Sequence, residues 1–198
     1  MNGAWPALRE TDRDLALALL FTPRRNRDLL ADRMNLAREC ETAIRVASEP
    51  MLAAIRLQWW VEAIETGRHE QVPLAQRLCE RIKAGEVTAA ILVNQIALWQ
   101  DRFATAPEDA GSCWAGCFAM LVPDHTGCAS TIARSLFTEA APLEVAHLRE
   151  LDRPDTRWLW MLGRLAIHRQ KRPSAGDDPM LVWRMLVWWL LDWRIRRG

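Results

Sequence analysis

The sequence contains no tyrosine and few lysines, Lys83 and Lys171, although it holds eleven tryptophans. Long uninterrupted apolar runs are also missing, because the longest, from Met180 to Ile195, is broken by charged residues. It falls short of the roughly 18 uninterrupted apolar residues expected of a membrane span. We therefore expect a protein that does not cross a bilayer and that contacts a membrane at most peripherally.

An excess of charge of either sign is absent, since 26 basic residues stand against 25 acidic ones and the net charge is +1. A protein whose main partner is nucleic acid usually carries a basic surface, so this class is excluded. The five cysteines form an odd set without tight paired spacing, and no positively charged apolar signal segment opens the chain. These absences predict a reducing, cytoplasmic location.

Alternation of β-branched or aromatic residues with polar ones is also lacking, and this excludes a strand-rich fold. Half of the 198 residues are hydrophobic, which suffices for one sizeable core. Most of the ten prolines stand where a helix would begin. We therefore predict an all-α protein, a single helical bundle over residues 1–198.

Two helices are indicated most clearly by their end signals. Thr22 and Pro23 predict a helix that continues to Arg45, with Thr22 as its N-cap. The residues from Ser48 to Pro50 open a second helix that ends at Gly67. The apolar face predicted for this second helix consists of Leu52, Ile55, Trp59 and Ala63.

Further helices are predicted along the rest of the chain by apolar residues at helical spacing. Their bounds are 73–84, 86–103, 108–121, 126–140, 142–148 and 155–168. The polar segment 169–178 contains proline and glycine and predicts a loop before the last helix, which Asp178 caps.

The segment 12–65 contains DRDLALALLFTPRRNRDLL, then MNLARE, then SEPMLAAIRLQWWVEAIE. In this order the blocks resemble the N-terminal part of the squalene/phytoene synthase family, in particular a short bacterial and mitochondrial branch that includes a respiratory complex I assembly factor. The resemblance implies an isoprenoid-synthase-like bundle, shortened relative to active members, around an apolar cavity. The cavity or family-motif residues that it implies are Glu39, Glu41, Arg56, Gln58, Trp59, Trp60 and Glu62.

Active members of this family join two prenyl diphosphates, and Mg²⁺ held by paired acidic residues neutralises the departing diphosphate. At the matching position this chain has Glu39 and Glu41 but no aspartate, and Ala43 stands one turn after Glu39. The later helix that should carry the second motif, at 128–142, offers only Glu139. The resemblance therefore implies a catalytically degenerate protein that binds an isoprenoid-type lipid, or that takes part in assembly with a protein partner.

Two alternatives to this degenerate protein stay open. One is an active Mg²⁺-dependent prenyl transferase that uses Glu39, Glu41, Asp28 and Asp32 as an unusual clamp on prenyl diphosphates, with a second subunit supplying the missing helices. The other is a regulatory partner of a full-length synthase.

Two sets of residues carry side chains of the types that ligate metals. Asp28 and Asp32 lie one helical turn apart near several arginines, a pattern more typical of a solvated, salt-bridged surface than of a metal site. Zinc ligation by cysteines 113, 117 and 128 with His125 is a second possibility, but cysteine among apolar residues is typical of a core. We therefore predict no metal ligands.

The last helix concentrates tryptophans 183, 188, 189 and 193 among leucine and valine. Core packing is the interpretation that we favour for it. The alternatives are a covering partner protein, or a place among lipid headgroups with Arg194, Arg196 and Arg197 facing anionic lipid. For Arg56 we favour an ion pair with an internal carboxylate such as that of Glu39 over a bound diphosphate. Of Trp59 and Trp60, we expect one in the core and the other at the cavity or an interface.

Overall fold

The computed structural model describes residues 3–69, 71–105, 110–138, 142–151, 153–171 and 178–195, and within these ranges it contains ten α-helices and no strand. The helices are α1 (Ala4–Thr11), α2 (Arg13–Ala18), α3 (Arg24–Arg45), α4 (Pro50–Thr66), α5 (Pro73–Lys83), α6 (Ala89–Thr105), α7 (Ala110–Leu121), α8 (Thr126–Phe137), α9 (Arg157–Lys171) and α10 (Leu181–Ile195). The predicted all-α helical bundle is confirmed, and its isoprenoid-synthase-like form stays a prediction. Over the described residues, no helix combines the length and the apolar character needed to span a membrane.

The ends of α3 and α4 follow from local chemistry. Pro23, with φ −52° and ψ 137°, is extended and takes the N-cap position of α3, so the predicted cap at Thr22 is wrong by one residue. Pro50 is the first residue of α4, where its missing N–H costs no hydrogen bond. Gly67 ends α4 with a left-handed φ of 71°, which glycine adopts without a steric penalty.

Three differences from the predicted elements stand out. The predicted helix at 142–148 is wrong, because only Val145–Leu148 is helical and it forms a 3-10 turn. The predicted loop at 169–178 starts too early, since α9 continues to Lys171, and residues 172–177 lie outside the described ranges. The predicted capping role of Asp178 is confirmed, because its Oδ1 accepts a hydrogen bond from the Met180 backbone N–H at 2.9 Å.

The two N-terminal helices, α1 and α2, were not predicted. The Asp12 carboxylate accepts a hydrogen bond from the Leu15 backbone N–H at 2.9 Å, and it thereby caps α2. The indole N–H of Trp5 donates to the backbone oxygen of Ala16 at 2.6 Å, which ties α1 to α2. Asp12 was a usable N-cap signal before the apolar residues of α2.

Aromatic rings fill the centre of the bundle. Trp99, Trp114, Trp158 and Phe118 have almost no exposed surface. The ring of Trp114 meets that of Trp99 edge to face at 5.9 Å between centroids and stacks on Phe137 at 4.6 Å. Such pairs add to the hydrophobic stabilisation of burial. Helices from both ends of the chain, α1 to α10, contribute buried residues to this same core.

The buried side of α4 differs from the predicted one. This helix packs against α3, α5 and α6. It buries Ala53, Leu57, Trp60 and Ile64, whereas Leu52 and Ile55 of the predicted apolar face are exposed. Of the predicted face, Ala63 is buried and Trp59 is half-buried against the core, so the prediction is wrong for Leu52 and Ile55, and an apolar strip of α4 remains in contact with solvent.

Helix α10 is buried on one side only. Leu181 and Met185 are buried, and Trp188 lies 5.7 Å from the ring of His168 on α9. The opposite side is exposed, and its most prominent residue, Trp183, is 63% exposed. The favoured interpretation of α10 as a core helix is therefore wrong for this side. The side chain of Trp193 lies outside the described residues.

Candidate functional site

Two clefts border helix α4. The larger, which we call the α4–α6 cleft, has a volume of about 770 Å³ and is lined by Ala54, Ile55, Leu57, Gln58, Trp59 and Glu62 of α4 with Gln100 and Phe103 of α6. The smaller, which we call the α3–α4 cleft, has a volume of about 440 Å³ and is lined by Glu39, Thr42, Ala43, Ile55, Arg56, Trp59, Trp60 and Val72. Ile55 and Trp59 line both clefts and form their shared wall.

The two adjacent tryptophans of α4 take different positions. Trp60 is 6% exposed and packs in the core, although it also reaches the α3–α4 cleft. Trp59 is half-buried, and its ring meets that of Trp60 edge to face at 5.1 Å between centroids. This division agrees with the prediction for the pair. The indole of Trp59 is thus partly accessible from both clefts.

Gln58 and Glu62 supply the polar part of the α4–α6 cleft on α4. The amide Nε2 of Gln58 donates to Oε1 of Glu62 at 3.2 Å, one helical turn away. Both side chains are exposed, so they stay accessible to a polar group at the end of a bound apolar chain. The remaining lining of this cleft is apolar apart from Gln100.

Glu39 and Arg56 lie at the α3–α4 cleft, as the resemblance implied, but the ion pair that we favoured between them is wrong. Among the described residues, neither side chain forms an ion pair or a hydrogen bond. Partial burial raises the pKa of Glu39 above its usual value. The cleft thus presents a carboxyl group and a guanidinium that are both free to meet a ligand.

Glu41 lies away from both clefts. Its carboxylate accepts hydrogen bonds from Nη1 of Arg38 at 2.5 Å and from the indole N–H of Trp114 at 3.3 Å. Arg38 also pairs with Asp12 and lies 4.6 Å from the centroid of the Trp114 ring. Residues two apart on a helix point in different directions, so Glu39 and Glu41 do not converge on one metal ion.

Asp28 and Asp32 do not form a metal site either. Asp28 is exposed, as predicted for a solvated surface. Asp32 contradicts that prediction, because it is fully buried and accepts from Nε of Arg77 and Nε of Arg81, each at 2.7 Å. Both of its oxygens are thus engaged by arginines. Sequence reasoning missed this triad because its arginines lie 45 and 49 residues further along the chain.

The cysteines considered for zinc do not gather into a site. Cys113 and Cys117 are buried in the core, and the thiol of Cys128 donates to the backbone oxygen of His147 at 3.0 Å. Within the described ranges, no group of three or more histidine, cysteine, aspartate or glutamate residues is placed to hold a metal ion.

A buried polar pair in the core was also not predicted. Arg33 is 8% exposed, and its Nε donates to Oε1 of Gln95 at 3.1 Å. The amide Nε2 of Gln95 donates back to the Arg33 backbone oxygen at 2.7 Å. Burial lowers the pKa of Arg33 to about 10. The pair joins α3 to α6, and these two helices pack against α4 and line the two clefts with it.

Comparison with known proteins adds no relative. No family model matches the chain, and no curated protein and no solved structure matches it. The resemblance to the squalene/phytoene synthase family therefore stays a prediction from the residues quoted above.

Proposed function

We propose that this protein binds the apolar chain of an isoprenoid-type lipid in the α4–α6 cleft and does not catalyse prenyl transfer. The observation that carries the proposal is the cleft itself, which has a volume of about 770 Å³ and is lined by α4 residues of the SEPMLAAIRLQWW segment. Small-molecule sites are typically apolar clefts of roughly 300–1,000 Å³ with a few polar groups that fix orientation.

The character of the lining favours a hydrocarbon chain with a small polar end. Ile55, Trp59 and Phe103 offer apolar surface on both α4 and α6. Burial of apolar surface contributes about 25 cal/mol per Å² to binding before the costs of association are subtracted. Gln58 and Glu62 are accessible on the same wall and can hydrogen-bond a terminal hydroxyl group.

The arrangement of carboxylates favours binding without catalysis. Ionising an allylic diphosphate requires Mg²⁺ held by several carboxylate oxygens. Among the described residues, each cleft has one carboxylate in its lining, Glu62 in the larger and Glu39 in the smaller. Glu41 and Asp32 are engaged by arginines elsewhere.

A cleft-filling variant with a matched control tests the binding proposal. We expect radiolabelled farnesol to bind the purified protein in an ultrafiltration assay, and Ala54→Trp to weaken binding at least about tenfold because the new ring occupies the cleft. Ala90→Trp is the control, since Ala90 is also an exposed helical alanine but does not line the cleft. Absence of farnesol binding, or equal loss in both variants, contradicts the proposal.

A separate assay tests the absence of catalysis. The protein is incubated with farnesyl diphosphate and Mg²⁺, and released diphosphate and coupled product are measured against a no-protein control. We expect neither above the control. Product formation would support the alternative of an active Mg²⁺-dependent prenyl transferase, even if farnesol binding is also observed.

A further inference from the structure

The exposed side of α10 is a continuous apolar surface. Six of its residues have large exposed hydrophobic side chains, namely Val182, Trp183, Leu186, Val187, Leu190 and Leu191, and the exposed Met180 directly precedes the helix. At about 100° per residue they share one half of the helix circumference. No charged residue between 180 and 191 falls in that half, since Arg184 lies outside it and pairs with Asp178 at 2.6 Å. We call this surface the α10 apolar face.

We propose that the α10 apolar face lies in the boundary between the headgroups and acyl chains of an anionic lipid bilayer. A surface helix of this kind presents its apolar side to the acyl chains and is attracted to anionic headgroups by basic residues. The sequence supplies them, because Arg194, Arg196 and Arg197 stand among its last seven residues against one acidic residue, Asp192. This charge distribution is the argument for a bilayer of anionic composition.

The attachment of α10 fits this arrangement. Its inner side contacts α9, where the guanidinium of Arg164 lies 5.6 Å from the ring centroid of Trp188 and the His168 ring lies 5.7 Å from it. Leu181 and Met185, which belong to the inner side of α10, are buried. The helix therefore contacts the bundle on one side, and its apolar face is turned away from the bundle.

A second copy of this chain is a less suitable occupant. A helix of 15 residues is about 22 Å long, so two such faces pressed together form a small interface. Stable interfaces between proteins bury roughly 1,200–2,000 Å² in total. Insertion into a bilayer requires no minimum interface area, because each apolar side chain that enters the acyl-chain region contributes separately.

Vesicle co-sedimentation of the full chain tests the proposal. Two kinds of vesicle are used, phosphatidylcholine alone and an equal mixture of phosphatidylcholine and phosphatidylglycerol. We expect binding to the mixed vesicles to exceed binding to the neutral ones by about tenfold and to weaken as salt is added. These vesicles contain no isoprenoid lipid, so the result does not depend on the α4–α6 cleft.

A pair of valines provides the matched control. Val187 on the α10 apolar face and Val145 in the 3-10 turn are each 48% exposed. We expect Val187→Glu to reduce binding to the mixed vesicles about tenfold and Val145→Glu to leave it unchanged. Circular dichroism verifies that both variants are folded.

Three outcomes overturn the proposal. The first is equal sedimentation with neutral and mixed vesicles, or with neither. The second is the same loss of binding in both valine variants. The third is a dimer on gel filtration that Val187→Glu dissociates while the wild type does not bind vesicles, because a second copy would then cover the face.

Discussion

Arg77 holds the carboxylate of Asp32 through its Nε, which lies 2.7 Å from Oδ1, and Asp32 itself has no exposed surface. The other oxygen is held by Arg81 at the same distance. The aspartate belongs to α3 and the arginines to α5, so one carboxylate joins the two helices. If one partner of a buried ion pair is removed, the remaining charge stays buried without compensation. The resulting loss of stability is usually larger than the net stabilisation that the pair provided.

Replacing this aspartate should destabilise the fold. We expect Asp32→Ala to lower the free energy of unfolding by about 3 kcal/mol, the lower end of the usual range, because the arginines retain some contact with water. Asp28, which is exposed and lies one turn earlier on the same helix, provides the control. Asp28→Ala should change the free energy of unfolding by less than about 0.5 kcal/mol. Urea denaturation measures both, and equal effects would mean that Asp32 is not buried with its arginines.

The adjacent tryptophans of α4 should separate stability from binding. We expect Trp60→Ala to cost about 3–5 kcal/mol of unfolding free energy, because Trp60 is buried in the core. Trp59→Ala should cost clearly less, yet weaken farnesol binding about tenfold, because Trp59 lines the α4–α6 cleft. Urea denaturation and the farnesol assay are compared for both variants. Equal stability losses would contradict the assigned positions.

Two glycine-to-alanine variants with opposite expected effects on stability test the left-handed end of α4. Gly67 has φ 71°, a conformation that an alanine adopts only with strain, so Gly67→Ala should lower stability by about 1 kcal/mol. Gly127 lies in the first turn of α8, and a Cβ atom there meets nothing within 4 Å. Gly127→Ala should therefore raise stability by about 0.5 kcal/mol. Thermal denaturation distinguishes the opposite signs, and a neutral Gly67→Ala would argue against the left-handed end.

Stability should fall in mildly alkaline solution because of a core thiol. Burial raises the pKa of Cys117 to about 12 from an ordinary 9.0. Between pH 9 and 10 the unfolded chain loses this proton while the folded chain keeps it, so the free energy of unfolding decreases as pH rises. The decrease in the free energy of unfolding that this thiol causes approaches about 1.4 kcal/mol per pH unit.

The variant Cys117→Ala isolates that effect. Its stability, measured by urea denaturation, should decline less steeply with pH than that of the wild type above pH 9. Between pH 7 and 8 the two slopes should agree, because the thiol is then protonated in both states. Parallel curves up to pH 10 would contradict the assigned pKa shift.

The parts of the fold that sequence predicted are those fixed by neighbouring residues. Pro50 and Gly67 determine the ends of α4, and both act within one turn. Which side of α4 is buried depends on where α3, α5 and α6 lie, and so the burial of Leu57 and the exposure of Leu52 were not predictable from spacing alone. Propensity and pattern cannot supply such tertiary information.

The candidate site shows the same division. The motif indicated Glu39, Arg56, Gln58, Trp59, Trp60 and Glu62, and the structure places all of them at the two clefts. Gln100 and Phe103 of the larger cleft carried no signal, because they join the site only through the packing of α6 against α4. Glu41 was grouped with Glu39 by sequence proximity, but it turns toward Arg38 and Trp114.

The wall that Ile55 and Trp59 form between the clefts has a consequence for any pair of occupants. A molecule that fixes the indole ring from one side also fixes the shape that the other side presents. Two ligands, one in each cleft, would therefore alter each other's binding affinity. By thermodynamic linkage, each ligand must change the affinity of the other by the same factor.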